Sequence, residues 1–381
     1  MRRLVLFVAF AILLGAPSQS QSQSARSTPS GWTETATSAA AVKAGITLPL
    51  SAGTLRKTEL GQYDKDGADL SARYMSSDRA IQGTIFLSEP TFADTGLAFL
   101  ATDEVIRRQR GPATAITADR LLPVAGVRAA ERRVVYASAL DQQRSLVTIV
   151  SFVRAGSWLV IVQVTGPAEQ AQEINRDLDA LLAGMTFAKG SEPRPATVIK
   201  TERCAPRDRT IAAKVTRPQT GDGLEFLSES AALTGKVPTR LCLESLEVIG
   251  DVGLQIYRPS EAPDRPYLTR LYALLGNSGV ILEVAESRKE PGAFYVLSHG
   301  VGRATVFGKF DREPSIGQIR ALAAAPDEQP AAILLFSTSA LSPEMSGVAP
   351  GRGVTIKVYC DWGLNACVAP EEAKPKPQSS R

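Results

Sequence analysis

Apolar and polar positions alternate along Leu70-Ser71-Ala72-Arg73-Tyr74 and again along Ile81-Gln82-Gly83-Thr84-Ile85-Phe86-Leu87. A period of two predicts half-buried β-strands. Asp94-Thr95 then offers a helix start ahead of Gly96 to Arg108, with Phe99, Leu100 and Ile106 able to face inward. Arg133 to Leu140 reads as a further strand. Leu146 to Val153 and Trp158 to Thr165 are β-branched runs joined by Arg154-Ala155-Gly156-Ser157, a tight hairpin connection. Pro167 opens an amphipathic helix in which Ile174, Leu178, Leu181, Leu182 and Met185 recur at helical spacing. Glu173, Arg176, Asp177 and Asp179 are expected to face water. Strands, a helix, a meander and a closing helix predict an α+β layer on an antiparallel sheet.

The second half is also strand-rich. Val252 to Arg258, Gly279 to Glu286, Ala293 to Ser298, Arg303 to Phe310, Ala331 to Ser337 and Val354 to Cys360 suit strands. Two helices are expected. Pro266 to Leu275 would bury Leu268, Leu271, Tyr272 and Leu275, and Ser315 to Ala324 would be capped by Ser315 and bury Ile316, Ile319 and Leu322. No period of repetition links the two halves.

The termini read differently. Arg2 and Arg3 precede an unbroken apolar run from Leu4 to Leu14, followed by Gly15-Ala16-Pro17-Ser18. A positive start, a short apolar stretch and small residues are the layout of a cleavable secretory signal over residues 1–18. About eleven apolar residues fall short of the roughly twenty needed to span a hydrocarbon core, and no later run reaches that length. Residues 19–39 begin with a Gln/Ser-rich stretch and read as a flexible leader. The Gly/Pro/charge cluster from Ala188 to Pro195 marks a boundary. The organisation expected is an α+β domain at 40–188, a linker at 189–198, a disulfide-containing α+β domain at 199–369 and a disordered tail at 370–381.

Ser157-Trp158-Leu159-Val160-Ile161-Val162-Gln163-Val164, followed by a helix carrying Leu178, Leu181 and Leu182, resembles the closing strand and helix of Mog1/PsbP-like α/β/α domains. The resemblance covers residues 40–188. It implies a non-catalytic, adaptor-like role, because members of that family bind partners or assist assembly. It rests on core positions, so no functional residue is carried over.

The four cysteines are Cys204, Cys242, Cys360 and Cys367. In an exported chain an even count predicts two disulfides. Three pairings are open, and Cys204 with Cys242 plus Cys360 with Cys367 is the favoured one. Forty-three basic residues face thirty-nine acidic ones, spread evenly over both halves. That balance argues against a nucleic-acid or anionic-membrane surface.

Candidate chemistry is sparse. His299 is the sole histidine, at the end of an expected strand in Ser298-His299-Gly300. Strand neighbours point to opposite faces, so Ser298 cannot be its partner. A catalytic His299 needs another hydroxyl and an acid, and no G-x-S-x-G elbow is present. A single histidine and no CxxC exclude the common zinc patterns. Asp64-Lys65-Asp66-Gly67-Ala68-Asp69 is better read as a turn at Asp66-Gly67 than as a calcium loop, because the glycine and the closing glutamate are out of place. Gly300-Val301-Gly302 and Gly347 to Gly353 complete neither a dinucleotide nor a phosphate loop. Arg107-Arg108-Gln109-Arg110 fits a helix C-terminus, and Arg128 to Arg133 reads as a solvated face. No cofactor or metal is expected. The functional expectation is an exported, non-catalytic envelope protein that binds a protein or other envelope partner, periplasmic or secreted. The alternatives are an exported hydrolase with a Ser/His299-type site, or a small-molecule or lipid carrier with an apolar cavity.

Overall fold

The computed structural model describes residues 28–139, 145–207, 211–216, 237–260, 269–276, 279–287, 290–301, 304–324, 331–335 and 357–360. The signal segment 1–18, the tail 370–381, Cys367 and the glycine-rich run 347–353 lie outside the described residues.

The first half runs β1 (Trp32–Glu34), β2 (Ser38–Ala41), β3 (Ile46–Pro49), β4 (Ser51–Ala52), β5 (Leu55–Gln62), β6 (Asp69–Met75) and β7 (Gln82–Ser88). Helix α1 (Thr95–Arg110) follows. Next come β8 (Ala115–Val124), β9 (Val127–Ala139), β10 (Ser145–Ala155) and β11 (Trp158–Pro167), then α2 (Ala171–Gly184), β12 (Thr186–Phe187) and β13 (Pro193–Arg194). The second half holds β14 (Lys200–Arg203), β15 (Val215–Thr216), β16 (Arg240–Ile249), β17 (Val252–Pro259), β18 (Thr269–Leu275) and β19 (Ile281–Glu286). It continues with β20 (Phe294–His299), β21 (Ala304–Phe310), α3 (Ile316–Ala324), β22 (Ala331–Leu335) and β23 (Lys357–Cys360).

Three sheets result, mostly antiparallel, with few helices. The small one has order β1-β2-β3-β12, the first-half sheet β4-β5-β6-β7-β11-β10-β9-β8, and the second-half sheet β14-β16-β17-β18-β19-β20-β21-β22-β23. β13 joins β10, and β14 lies parallel to β16. The expected α+β class holds in this coarser form.

Alternation decides which face of the first-half sheet is covered by what. On one face Val147, Ile149, Val153, Val160, Val162 and Val164 are in the core beneath α2, whose Ile174, Leu178, Leu181 and Leu182 are buried. On the other face Val134, Tyr136, Val150 and Phe152 pack under α1. The same cluster continues into Leu241, Tyr257, Tyr272, Leu274 and Ile281 of the second-half sheet. Helix α1 is therefore a shared layer, covered by a sheet on each side. A third cluster, with Leu254, Ile256, Leu282, Val296 and Phe307, lies under Ile319 and Leu322 of α3.

Several expectations change. The ordered chain starts before residue 40: Trp32 is buried, and its indole Nε1 donates to the Gly61 carbonyl at 3.0 Å, so part of the expected leader is strand. The expected helix over Pro266 to Leu275 is strand β18 where it is described. Leu271, Tyr272, Ala273 and Leu274 are all buried, two facing α1 and two facing the α3 side, and such a continuous apolar run mimics a helical stripe. The 189–198 segment is tied down. Pro193 and Arg194 pair with β10, and the Thr197 amide donates to Thr95 Oγ1 at 2.7 Å. Asp177 does not face water: buried, it accepts the Thr54 amide at 2.8 Å and the Thr54 hydroxyl at 2.6 Å. Cys204 and Cys242 form the favoured disulfide, with 4.8 Å between Cα atoms, beside the β14/β16 pairing. The partner expected for Cys360 lies outside the described residues.

Candidate functional site at the seam between the sheets

His299 closes β20, where it sits opposite Ile281 of β19. Glu283, two residues along β19, has its side chain on the same face of the sheet. His299 Nε2 lies 2.9 Å from Glu283 Oε2, and the Thr269 hydroxyl donates to Glu283 Oε1. The third member comes from the first half. Thr91, in the loop after β7, places Oγ1 3.1 Å from His299 Nδ1. That loop is held in place by its own backbone: the Thr91 amide donates to the Gly300 carbonyl at 3.0 Å, and Pro90 bridges to Val301. Phe92 walls the imidazole, with ring centroids 5.4 Å apart.

An ionised carboxylate can only accept. With Glu283 ionised, Nε2 carries a proton, and in the neutral ring Nδ1 accepts from Thr91. The polarity then runs from hydroxyl to imidazole to carboxylate, as in a nucleophile–base–acid triad. Access separates this arrangement from an open active site. Thr91 is 6% exposed, His299 1% and Glu283 0%. In this conformation the relay joins two sheets and presents no atom to a substrate.

His299 is thus placed among partners, and Ser298 is not one of them. Thr91 lies 208 residues away in sequence, and no spacing rule could have found it. Glu283 did carry a signal: a lone carboxylate within Ile281-Leu282-Glu283-Val284-Ala285 must be buried and therefore satisfied.

The remaining candidates resolve as structure. Arg132 and Arg133 are buried, not a solvated face. Arg132 lies 3.6 Å over the Phe99 ring and is bidentate to Asp119, at 3.1 and 2.8 Å. Arg133, on the opposite face, binds Glu131 at 2.6 Å and Asp179 of α2 at 2.7 Å. Arg107 and Arg108 pair one turn back with Asp103 and Glu104. Asp64 accepts the Asp66 and Asp69 amides at 3.0 and 2.9 Å, a turn with Gly67 at φ 65°. Burial, reinforced by the Asp64 charge, pushes the Asp69 carboxyl up to about 6. Asp94 caps α1 by accepting the Leu97 amide at 2.9 Å, and burial pushes its carboxyl up too. Among the described residues no group of three or more His, Cys, Asp or Glu side chains could hold a metal ion, and no helix is long and apolar enough to cross a membrane.

No family model matches the sequence, and no curated protein matches it. Among solved structures, this chain is similar to a point mutant of the protein Mog1, at 13% identity, 38% of this chain, 90% of that one and a TM-score of 0.28. It is also similar to a crystal structure from Bacteroides thetaiotaomicron VPI-5482, at 8% identity, 50% of this chain, 56% of that one and a TM-score of 0.22. Mog1 is also the protein whose domains the strand and helix between residues 157 and 182 resemble in sequence.

Proposed function

We propose that this chain is an exported, non-catalytic envelope protein of two α+β units that binds a protein partner. The observation that supports this reading most is the enclosure of His299, its one imidazole, inside a seam where it links two sheets. The Cys204–Cys242 disulfide is in keeping with an oxidising compartment. The reading is tested by crosslinking the mature protein in its own envelope fraction and purifying it. A specific protein partner, with no turnover of ester or amide substrates, supports it. Turnover that vanishes in His299→Ala while the fold persists overturns it.

That second outcome belongs to a rival reading which one observation favours: the hydroxyl–imidazole–carboxylate polarity of Thr91, His299 and Glu283. In a hydrolase, the loop at Pro90–Thr91 would part from Gly300–Val301 to admit substrate, with Thr91 as nucleophile and His299 as base. An active-site-directed phosphonate that labels Thr91 would select this reading. The expected result is no labelling.

A further inference from the structure

Arg154 of β10 and Arg194 of β13 stand directly opposite each other in an antiparallel pair. Directly opposed residues share one face with Cβ atoms roughly 5 Å apart, and like charges there are destabilising. Even spacing from Val150 and Phe152 puts Arg154 on the face that carries α1.

Their surroundings offset only part of this charge. Arg154 Nε donates to the Gly156 carbonyl at 3.2 Å. Asp94 is near enough to act on Arg154 through its charge, but its carboxylate is engaged in capping α1. Glu192, the acid nearest Arg194 in sequence, holds the Gly190 amide at 2.8 Å. Among the described residues neither guanidinium has an ion-pair partner, in contrast to Arg132, Arg133 and Arg258. Burial, and after it the Arg194 charge, pull the Arg154 guanidinium below its usual range, a sign that the neighbourhood disfavours a second cation. Counting Asp94, one positive charge is left over. Both arginines are half-buried and so remain within reach of solvent.

We propose that Arg154 and Arg194 form a binding site for a carboxylate group, held between two guanidinium forks. A monoanion balances the surplus charge, and its two oxygens match the paired N–H donors of a guanidinium. The helix end contributes nothing further, because Asp94 already occupies it. The site is independent of any protein partner.

The probe is sodium acetate against sodium chloride at equal ionic strength, read by the thermal unfolding midpoint of the full mature chain. Acetate should raise the wild-type midpoint by about 2–4 °C. Arg194→Ala and Arg194→Gln should lose that response while starting from an equal or higher midpoint, because removing one arginine relieves the opposed pair. Arg128→Ala, at an exposed arginine of the same sheet, should keep it. No acetate response in wild type, or an undiminished one in the Arg194 variants, overturns the proposal. A larger response to inorganic phosphate than to acetate overturns the choice of a carboxylate.

Discussion

Helices α1 and α2 cover opposite faces of one sheet, yet they do different work. Helix α2 buries a single stripe, Ile174, Leu178, Leu181 and Leu182, and turns the rest to water apart from Asp177. Helix α1 buries Thr95, Gly96 and Thr102 along with Leu97, Phe99, Leu100 and Ile106. It needs this wider set because a second sheet lies on its outer side. A helix with one neighbour advertises its contact face by period. One with two neighbours blurs that period, since small and polar residues are recruited to the second contact. The comparison teaches that a weakly amphipathic helix in a strand-rich chain can mark a buried layer.

The contrast can be broken most severely at the shared layer. Phe99→Ala should cost about 3–5 kcal/mol in urea unfolding, because it removes the ring under Arg132 and opens a cavity against Phe152 within the core that α1 shares with both sheets. Leu178→Ala, on the one-sided helix, should cost about 2–5 kcal/mol, and hydrogen exchange should rise in the first-half sheet only. His299→Ala tests the seam itself: it strips the imidazole from the buried Glu283 and should cost about 3 kcal/mol or more. Thr91→Val should cost far less, about 1 kcal/mol, because a single neutral hydrogen bond is lost. If Thr91→Val is as damaging as His299→Ala, the seam depends on the hydroxyl as much as on the hydrogen bond between His299 and Glu283.

The most gradual effect is a pH slope. Asp69 is raised to about 6 by burial and by Asp64, so the folded chain holds its proton more tightly than the unfolded chain does. For an acid shifted upward, no penalty exists below about pH 4. It grows as pH rises toward 6 and is constant above that. Stability should therefore fall across this window by at most about 3 kcal/mol, reduced by the carboxyl's contact with water. Asp69→Asn should flatten that part of the profile and stabilise the protein at pH 7.

Local periodicity made much of the first sheet legible. Ile81 to Leu87, the hairpin at Gly156, the Asp94 start of α1 and the buried stripe of α2 all stand close to where alternation and turn chemistry put them. Legibility ended where two faces are buried at once, as in Leu271 to Leu274, whose unbroken apolar run has no period to read. It ended again where polar groups are satisfied across long separations. Arg132, Arg133 and Asp177 look like surface residues until Asp119, Asp179 and Thr54 are brought to them. The seam is the extreme case. His299 was visible as a lone imidazole, Glu283 passed unnoticed although it is a lone carboxylate in an apolar strand, and their connection to Thr91 exists only in three dimensions.

The crossing at Pro193–Arg194 has a consequence for anyone who would dissect this molecule. A cut placed at that conspicuous Gly/Pro-rich stretch would not free two independent bodies. The first fragment would keep α1 but lose the lid over Leu97, Phe99 and Leu100, leaving a greasy plate in water. The second would carry off Ile199, now stripped of its seat against Gly96. Fragments made this way should clump when expressed alone and regain solubility when mixed, a complementation that would report the joint more directly than any single substitution.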